Sequence, residues 1–178
     1  TTDGLSKVGL VAMGVAVARW LAGVPAAYAE TRRPERVSFP SADGRTTLIG
    51  YVFRPARSQG AKVPAVVMMH GRGGGYSSKA NGRFDATTLS KRNKQWGGIW
   101  AEQGYLAILV DGFGPRGYPQ GFPRFRYDQR PAELSEVAVR PLDAYGALAY
   151  LRTRGDVIGD RVALQGWSNG ASAALVTM

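Results

Sequence analysis

The chain has 178 residues, 44% of them apolar, with a net charge of +10, one histidine and no cysteine. That length fits one domain with a sizeable core, and the lack of cysteine excludes disulfides and thiolate metal sites. A histidine-rich metal centre is excluded too, because His70 stands alone. The basic residues are scattered, and their densest run, Lys91-Arg92-Asn93-Lys94, is short. With no nucleic-acid motif beside it, the charge reads as a basic surface and no nucleic-acid partner is expected.

In chain order, Lys7 precedes an apolar run over residues 8–18, and Ala27-Tyr28-Ala29 forms a small-x-small site. This pattern predicts a secretion signal over residues 1–29 and a mature domain over 30–178, secreted or periplasmic. The run is broken by Arg19 and falls short of the ~20 apolar residues of a membrane span. No stable span is therefore expected once the signal is removed.

Residues 36–39 and 46–53 read as two strands joined by the turn Ser41-Ala42-Asp43-Gly44. The apolar run Val63-Pro64-Ala65-Val66-Val67-Met68-Met69 suits a strand buried on both faces. It ends in His70-Gly71-Arg72-Gly73-Gly74-Gly75. Residues 76–95 read as a long polar loop, placed to serve as a lid. Trp96, Ile99 and Trp100 recur at helical spacing, with Gly104 as a C-cap. A second buried strand, 105–110, leads to Asp111. Residues 112–130 are rich in glycine, proline and arginine and read as loop. A helix is predicted over 132–154, with Pro141 as a local break and Leu142, Tyr145, Ala149 and Tyr150 on one side. A strand over 161–165 and a helix over 171–176 bracket Gly166-Trp167-Ser168-Asn169-Gly170. This alternation predicts an α/β protein with a mostly parallel sheet flanked by helices.

Gly-x-Ser-x-Gly between a strand and a helix is the pattern of a nucleophile elbow. The sharp turn lifts a serine hydroxyl off the sheet edge, and small flanking residues let the backbone pass its neighbours. Ser168 is thus the candidate nucleophile. The backbone N–H of Asn169, with that of Arg72 or Gly71, would form the oxyanion hole. His70 ends a different strand, so it reads as a loop brace ahead of a general base. Asp111 and Arg116 read either as lining the site or as an ion pair bracing a loop. A phosphate loop is excluded, since no Gly-Lys-Ser/Thr follows the glycines.

Three ordered strings carry a resemblance. They are His70-Gly71-Arg72-Gly73-Gly74, then Val110-Asp111-Gly112-Phe113-Gly114-Pro115-Arg116-Gly117, then Asp160-Arg161-Val162 leading to Gly166-Trp167-Ser168-Asn169-Gly170. Over residues 37–178 the chain resembles the dienelactone hydrolase family of α/β-hydrolases. The resemblance implies an α/β-hydrolase fold, a small-molecule ester or lactone substrate, an acyl-enzyme on Ser168, and no cofactor or metal. Dienelactone hydrolases proper carry cysteine where this chain has Ser168, which favours a broader esterase. The triad acid and histidine follow the serine in chain order, and only eight residues follow Gly170. The apolar helix 171–176 also meets no stop signal. The expectation is therefore an N-terminal portion of a hydrolase, with no residue here assignable to the acid or the base. Two rival readings are a non-catalytic binding domain of the same ancestry and an esterase or peptidase of another α/β-hydrolase branch.

Overall fold

A computed structural model describes residues 33–55 and 60–178. The expected secretion signal, residues 1–29, lies outside the described residues. In chain order the elements are β1 (Glu35–Pro40), β2 (Thr47–Phe53), β3 (Val63–Met69), α1 (Lys91–Glu102), β4 (Leu106–Asp111), α2 (Arg140–Thr153), β5 (Val157–Gly166) and α3 (Asn169–Thr177). The five strands form one sheet in the order β1-β2-β4-β3-β5. The β1–β2 and β2–β4 pairings are antiparallel, whereas β3 pairs parallel with β4 and with β5. The sheet is therefore mixed, its parallel half being the half that continuous apolar runs predicted.

The period of two in β3 and β4 sorts their side chains onto two cores. Ala65, Val67, Met69, Leu106, Ile108 and Val110 join Ala144, Ala147 and Leu151 of α2 and Ala173 of α3. Val66, Met68, Ala107 and Leu109 join Tyr51, Phe53 and the α1 tryptophans Trp96 and Trp100 on the other face. Full burial of one such aliphatic side chain contributes about 1.5–3 kcal/mol. Both faces are covered, as parallel strands require.

Three sequence expectations are corrected. The helix expected from residue 132 begins at Arg140, and Pro141 lies in its first turn. There the missing N–H costs nothing, so the proline starts the helix and does not break it. Residues Ala132–Leu134 form a separate 3-10 turn. The inward face of α2 is Ala144, Ala147 and Leu151, while Tyr145 is exposed. Buried Arg140 and Asp143 hide that face from a purely apolar pattern. Finally, α1 starts inside the expected loop, because the Ser90 side chain caps it by accepting from the Asn93 N–H at 3.3 Å.

Candidate active site

The chain runs from β3 through α1 to β4 on one side, then through α2 to β5 on the other side of β3. Adjacent strands whose connections diverge leave a crevice at their carboxyl ends. Met69 pairs with Gly166, so His70-Gly71 and Trp167-Ser168 leave the sheet side by side.

Ser168 is exposed and adopts φ 53°, ψ −123°. A non-glycine residue there is strained by about 1–3 kcal/mol and must be held by its surroundings. Two glycines make the turn possible. A Cβ at Gly166 would lie 2.1 Å from the Gly170 oxygen, and one at Gly170 would lie 2.2 Å from the Met69 oxygen. The loop after β3 closes against the turn: a Cβ at Gly71 would stand 3.2 Å from the Trp167 oxygen and 3.5 Å from Ser168 Cβ. Among the described residues, the backbone N–H groups of Gly71, Arg72 and Asn169 donate to no protein acceptor. Ser168 Oγ makes no capping hydrogen bond to α3. An exposed hydroxyl thus sits beside a strand-end loop and a helix N-terminus, both with uncommitted N–H donors.

The loop itself is stitched from the far side. Arg72 Nη1 donates to the Phe122 carbonyl at 2.9 Å, and the Phe122 N–H donates back to the Arg72 carbonyl at 3.2 Å. His70 is buried, and its Nδ1 lies 2.8 Å from the Gly71 carbonyl. A carbonyl only accepts, so Nδ1 carries the proton and Nε2 is the bare nitrogen. Nε2 has no hydrogen-bond partner among the described residues and lies 4.0 Å from Asp111 Oδ1. Burial, with the nearby Arg140 charge, lowers the His70 pKa to about 3. The ring is therefore neutral at ordinary pH and braces the loop, with its edge against Phe113.

Asp111 and Arg116, expected either at the site or paired with each other, take separate places. Asp111 is buried, accepts from the N–H groups of Phe113 and Gly114, and takes the Tyr76 hydroxyl at 2.7 Å. Burial raises its pKa against those hydrogen bonds. Tyr76 also meets the Tyr51 hydroxyl at 2.9 Å, and burial pushes the Tyr76 pKa up. Arg116 pairs with Asp143 and Asp43 at 2.8 and 2.9 Å. It braces a loop, though not through Asp111.

Beside the elbow lies a cavity of about 550 Å³, lined by His70, the Gly71–Gly74 loop, Tyr76, Phe84, Arg92 and Trp167 among others. Ser168 stands next to this cavity, not in its lining. Trp167 connects the two, its ring 6.1 Å from Trp96. Residues 76–90, the part of the expected 76–95 loop or lid that precedes α1, supply its outer wall. Sequence reading missed Tyr76, Trp167 and Arg140. An arginine opening the helix before the elbow strand was the one available signal for the last.

Solved structures share this fold. A dienelactone hydrolase-like promiscuous phosphotriesterase from metagenomic libraries matches with a TM-score of 0.55 at 21% identity, over 80% of this chain and 52% of its own. The fold is that of the α/β-hydrolases. A puromycin-hydrolysing peptidase of Mycobacterium tuberculosis matches with a TM-score of 0.57 at 24% identity, over 88% of this chain and 22% of its own. An acylaminoacyl peptidase of Pyrococcus horikoshii matches at 0.52 and 20% identity, over 79% and 20%. The chain spans about half the length, or less, of these α/β-hydrolase structures. No protein-family model matches the sequence, and no curated protein matches it. Among the described residues no helix is long and apolar enough to cross a membrane.

Proposed function

We propose that this chain carries the nucleophile half of a serine hydrolase that cleaves a carboxylic ester or lactone through an acyl-enzyme on Ser168. The observation that carries the reading is the strained, exposed Ser168 held against the Gly71 loop at the mouth of a crevice. In this reading Ser168 attacks the carbonyl carbon, and the N–H groups of Asn169 and Arg72 receive the negative oxygen of the tetrahedral intermediate. Each such donor contributes on the order of 3 kcal/mol. A serine hydroxyl needs a base, and neutral, buried His70 does not fit that role. The reading takes the triad acid and histidine from sequence beyond these 178 residues.

Sequence favours the ester or lactone over the peptide, through the resemblance to dienelactone hydrolases. The reading also keeps residues 1–29 as a secretion signal, which N-terminal sequencing of exported protein beginning at Glu30 would support. The decisive test treats the full-length gene product with a fluorophosphonate probe and assays a panel of esters, lactones and peptides. The expected result is a covalent adduct on Ser168 and ester turnover that Ser168→Ala removes. Turnover surviving in Ser168→Ala would sink the proposal. A folded protein that neither labels nor turns over any substrate would favour the non-catalytic binding domain.

A further inference from the structure

Beneath the elbow lies a charge that the proposed reaction leaves unused. Arg140, the first residue of α2, is 1% exposed. Its Nη1 donates to Asn169 Oδ1 at 2.5 Å, while Nε and Nη2 meet no acceptor among the described residues. Its guanidinium lies over the Phe113 ring, 4.9 Å from the centroid. Buried guanidinium groups ordinarily sit in bidentate pairs with carboxylates. Here the hydrogen-bonded partner is the neutral amide of the residue that follows Ser168.

That amide is held at both ends. Asn169 is 1% exposed, and its Nδ2 donates to Glu136 Oε2 at 2.9 Å. Glu136 is in turn paired with Arg130. The Asn169 side chain is therefore held in one orientation by bonds at both ends, and its Cα anchors the peptide plane that carries the Asn169 N–H.

We propose that Arg140 and the Asn169 side chain form a positioning clamp for the oxyanion side of the elbow. The clamp fixes the direction of the Asn169 N–H. The inference rests on the hydrolase reading above. Two physical arguments support it. The Ser168 backbone is strained and needs an external hold, and the clamp grips the next residue. The Asn169 amide is also hydrogen-bonded to a charged group at each end, Arg140 and Glu136, and such charge-assisted bonds hold a geometry more tightly than neutral ones. The fork of an arginine fixes geometry where a lysine supplies only a point charge. Neither side chain is asked to touch substrate, so both are positioning residues.

The test compares Arg140→Lys, Asn169→Leu and the double variant in the full-length enzyme. Folding is checked by circular dichroism and Tm, then kcat, KM and the rate of fluorophosphonate labelling are measured. The expected result is folded single variants with KM within about twofold and kcat lower by roughly 10- to 100-fold. Labelling should slow by the same factor, and the double variant should be little worse than either single one, because the two side chains act as a unit. Folded variants with kcat and labelling within about twofold of the parent, while Ser168→Ala abolishes both, would overturn the clamp. So would failure of both single variants to fold, since the pair would then hold the fold and not the elbow. If Ser168→Ala retains full turnover, the hydrolase reading itself fails and takes the clamp with it.

Discussion

Gly170 lies against the main chain of the neighbouring strand with no room for a side chain: a Cβ there would stand 2.2 Å from the Met69 oxygen and 2.5 Å from the His70 oxygen. Both obstacles are backbone, so neither moves cheaply. Gly170→Ala should lower stability by about 1–3 kcal/mol, and Gly166→Ala should behave alike. Gly73, whose added Cβ would meet nothing within 4 Å, is the control in the same region. Thermal denaturation of the three variants decides the point. Equal Tm values for Gly73→Ala and Gly170→Ala would show that the elbow is looser than this contact requires.

The strain at Ser168 predicts a trade between stability and chemistry. Its φ of 53° with ψ of −123° is readily accessible only to glycine. Ser168→Gly should therefore raise stability, by roughly 1–2 kcal/mol, as the strain is relieved. Ser168→Ala removes the hydroxyl but keeps the Cβ and should show no such gain. Chemical denaturation of both variants separates strain from polarity. A Ser168→Gly protein no more stable than Ser168→Ala would argue against stored strain.

Arg116 holds Asp143 through two hydrogen bonds of 2.8 Å each, with Asp143 fully buried. Burial raises the Asp143 pKa even so, against the pull of Arg116. Arg116→Met would leave that carboxylate buried without its ion pair and with the Ser41 hydroxyl as its remaining hydrogen-bond donor, at a cost of about 3 kcal/mol near neutral pH. Asp143 in the folded variant should then take up a proton before the unfolded chain does. The loss should accordingly shrink as pH falls. Urea titrations of parent and variant at pH 7 and pH 5 test this. A difference that does not change with pH would contradict the assignment.

His70 gives the opposite pH dependence. Its pKa is lowered from 6.5 to about 3 in the folded state. Above pH 6.5 neither state is protonated at this site. Between 6.5 and about 3 the unfolded chain binds a proton that the folded one refuses, so stability falls as pH drops through that window. The slope from this group cannot exceed about 1.4 kcal/mol per pH unit. Asp111, with its raised pKa, gains its proton earlier when folded and offsets part of the loss. His70→Asn should flatten the acid side of the stability profile. An unchanged profile would mean that His70 titrates normally.

The readable parts of this chain were those where one physical rule dominates. Val63–Met69 is apolar throughout because both faces of β3 are covered, and Gly-x-Ser-x-Gly spells out its own steric demands. The hidden parts were those where buried polar groups break the pattern. Arg140 and Asp143 look like solvated helix positions until Asn169, Arg116 and Ser41 supply their partners. The start of α1 was concealed because Lys91, Arg92 and Lys94 read as a charge run and outweighed the Ser90 cap. Tyr76 gave no signal at all, since its partners Tyr51 and Asp111 lie 25 and 35 residues away.

The outer wall of the cavity is tied to the sheet through Tyr76, and its two ends are also fastened to each other. Tyr76 bridges to Leu89, the Ser77 N–H donates to the Thr88 carbonyl, and the Ser90 N–H returns to the Gly75 carbonyl. Its two ends therefore meet, and lengthening the segment between them costs little loop entropy. The elbow, by contrast, is fixed by β3, β5 and α2. Insertions at the exposed positions 81–83 would reshape what the cavity admits while leaving Gly71 and Ser168 where they stand. On the hydrolase reading, such a division makes the molecule evolvable: selectivity would drift, or be redesigned in the laboratory, without renegotiating the turn on which the serine is mounted.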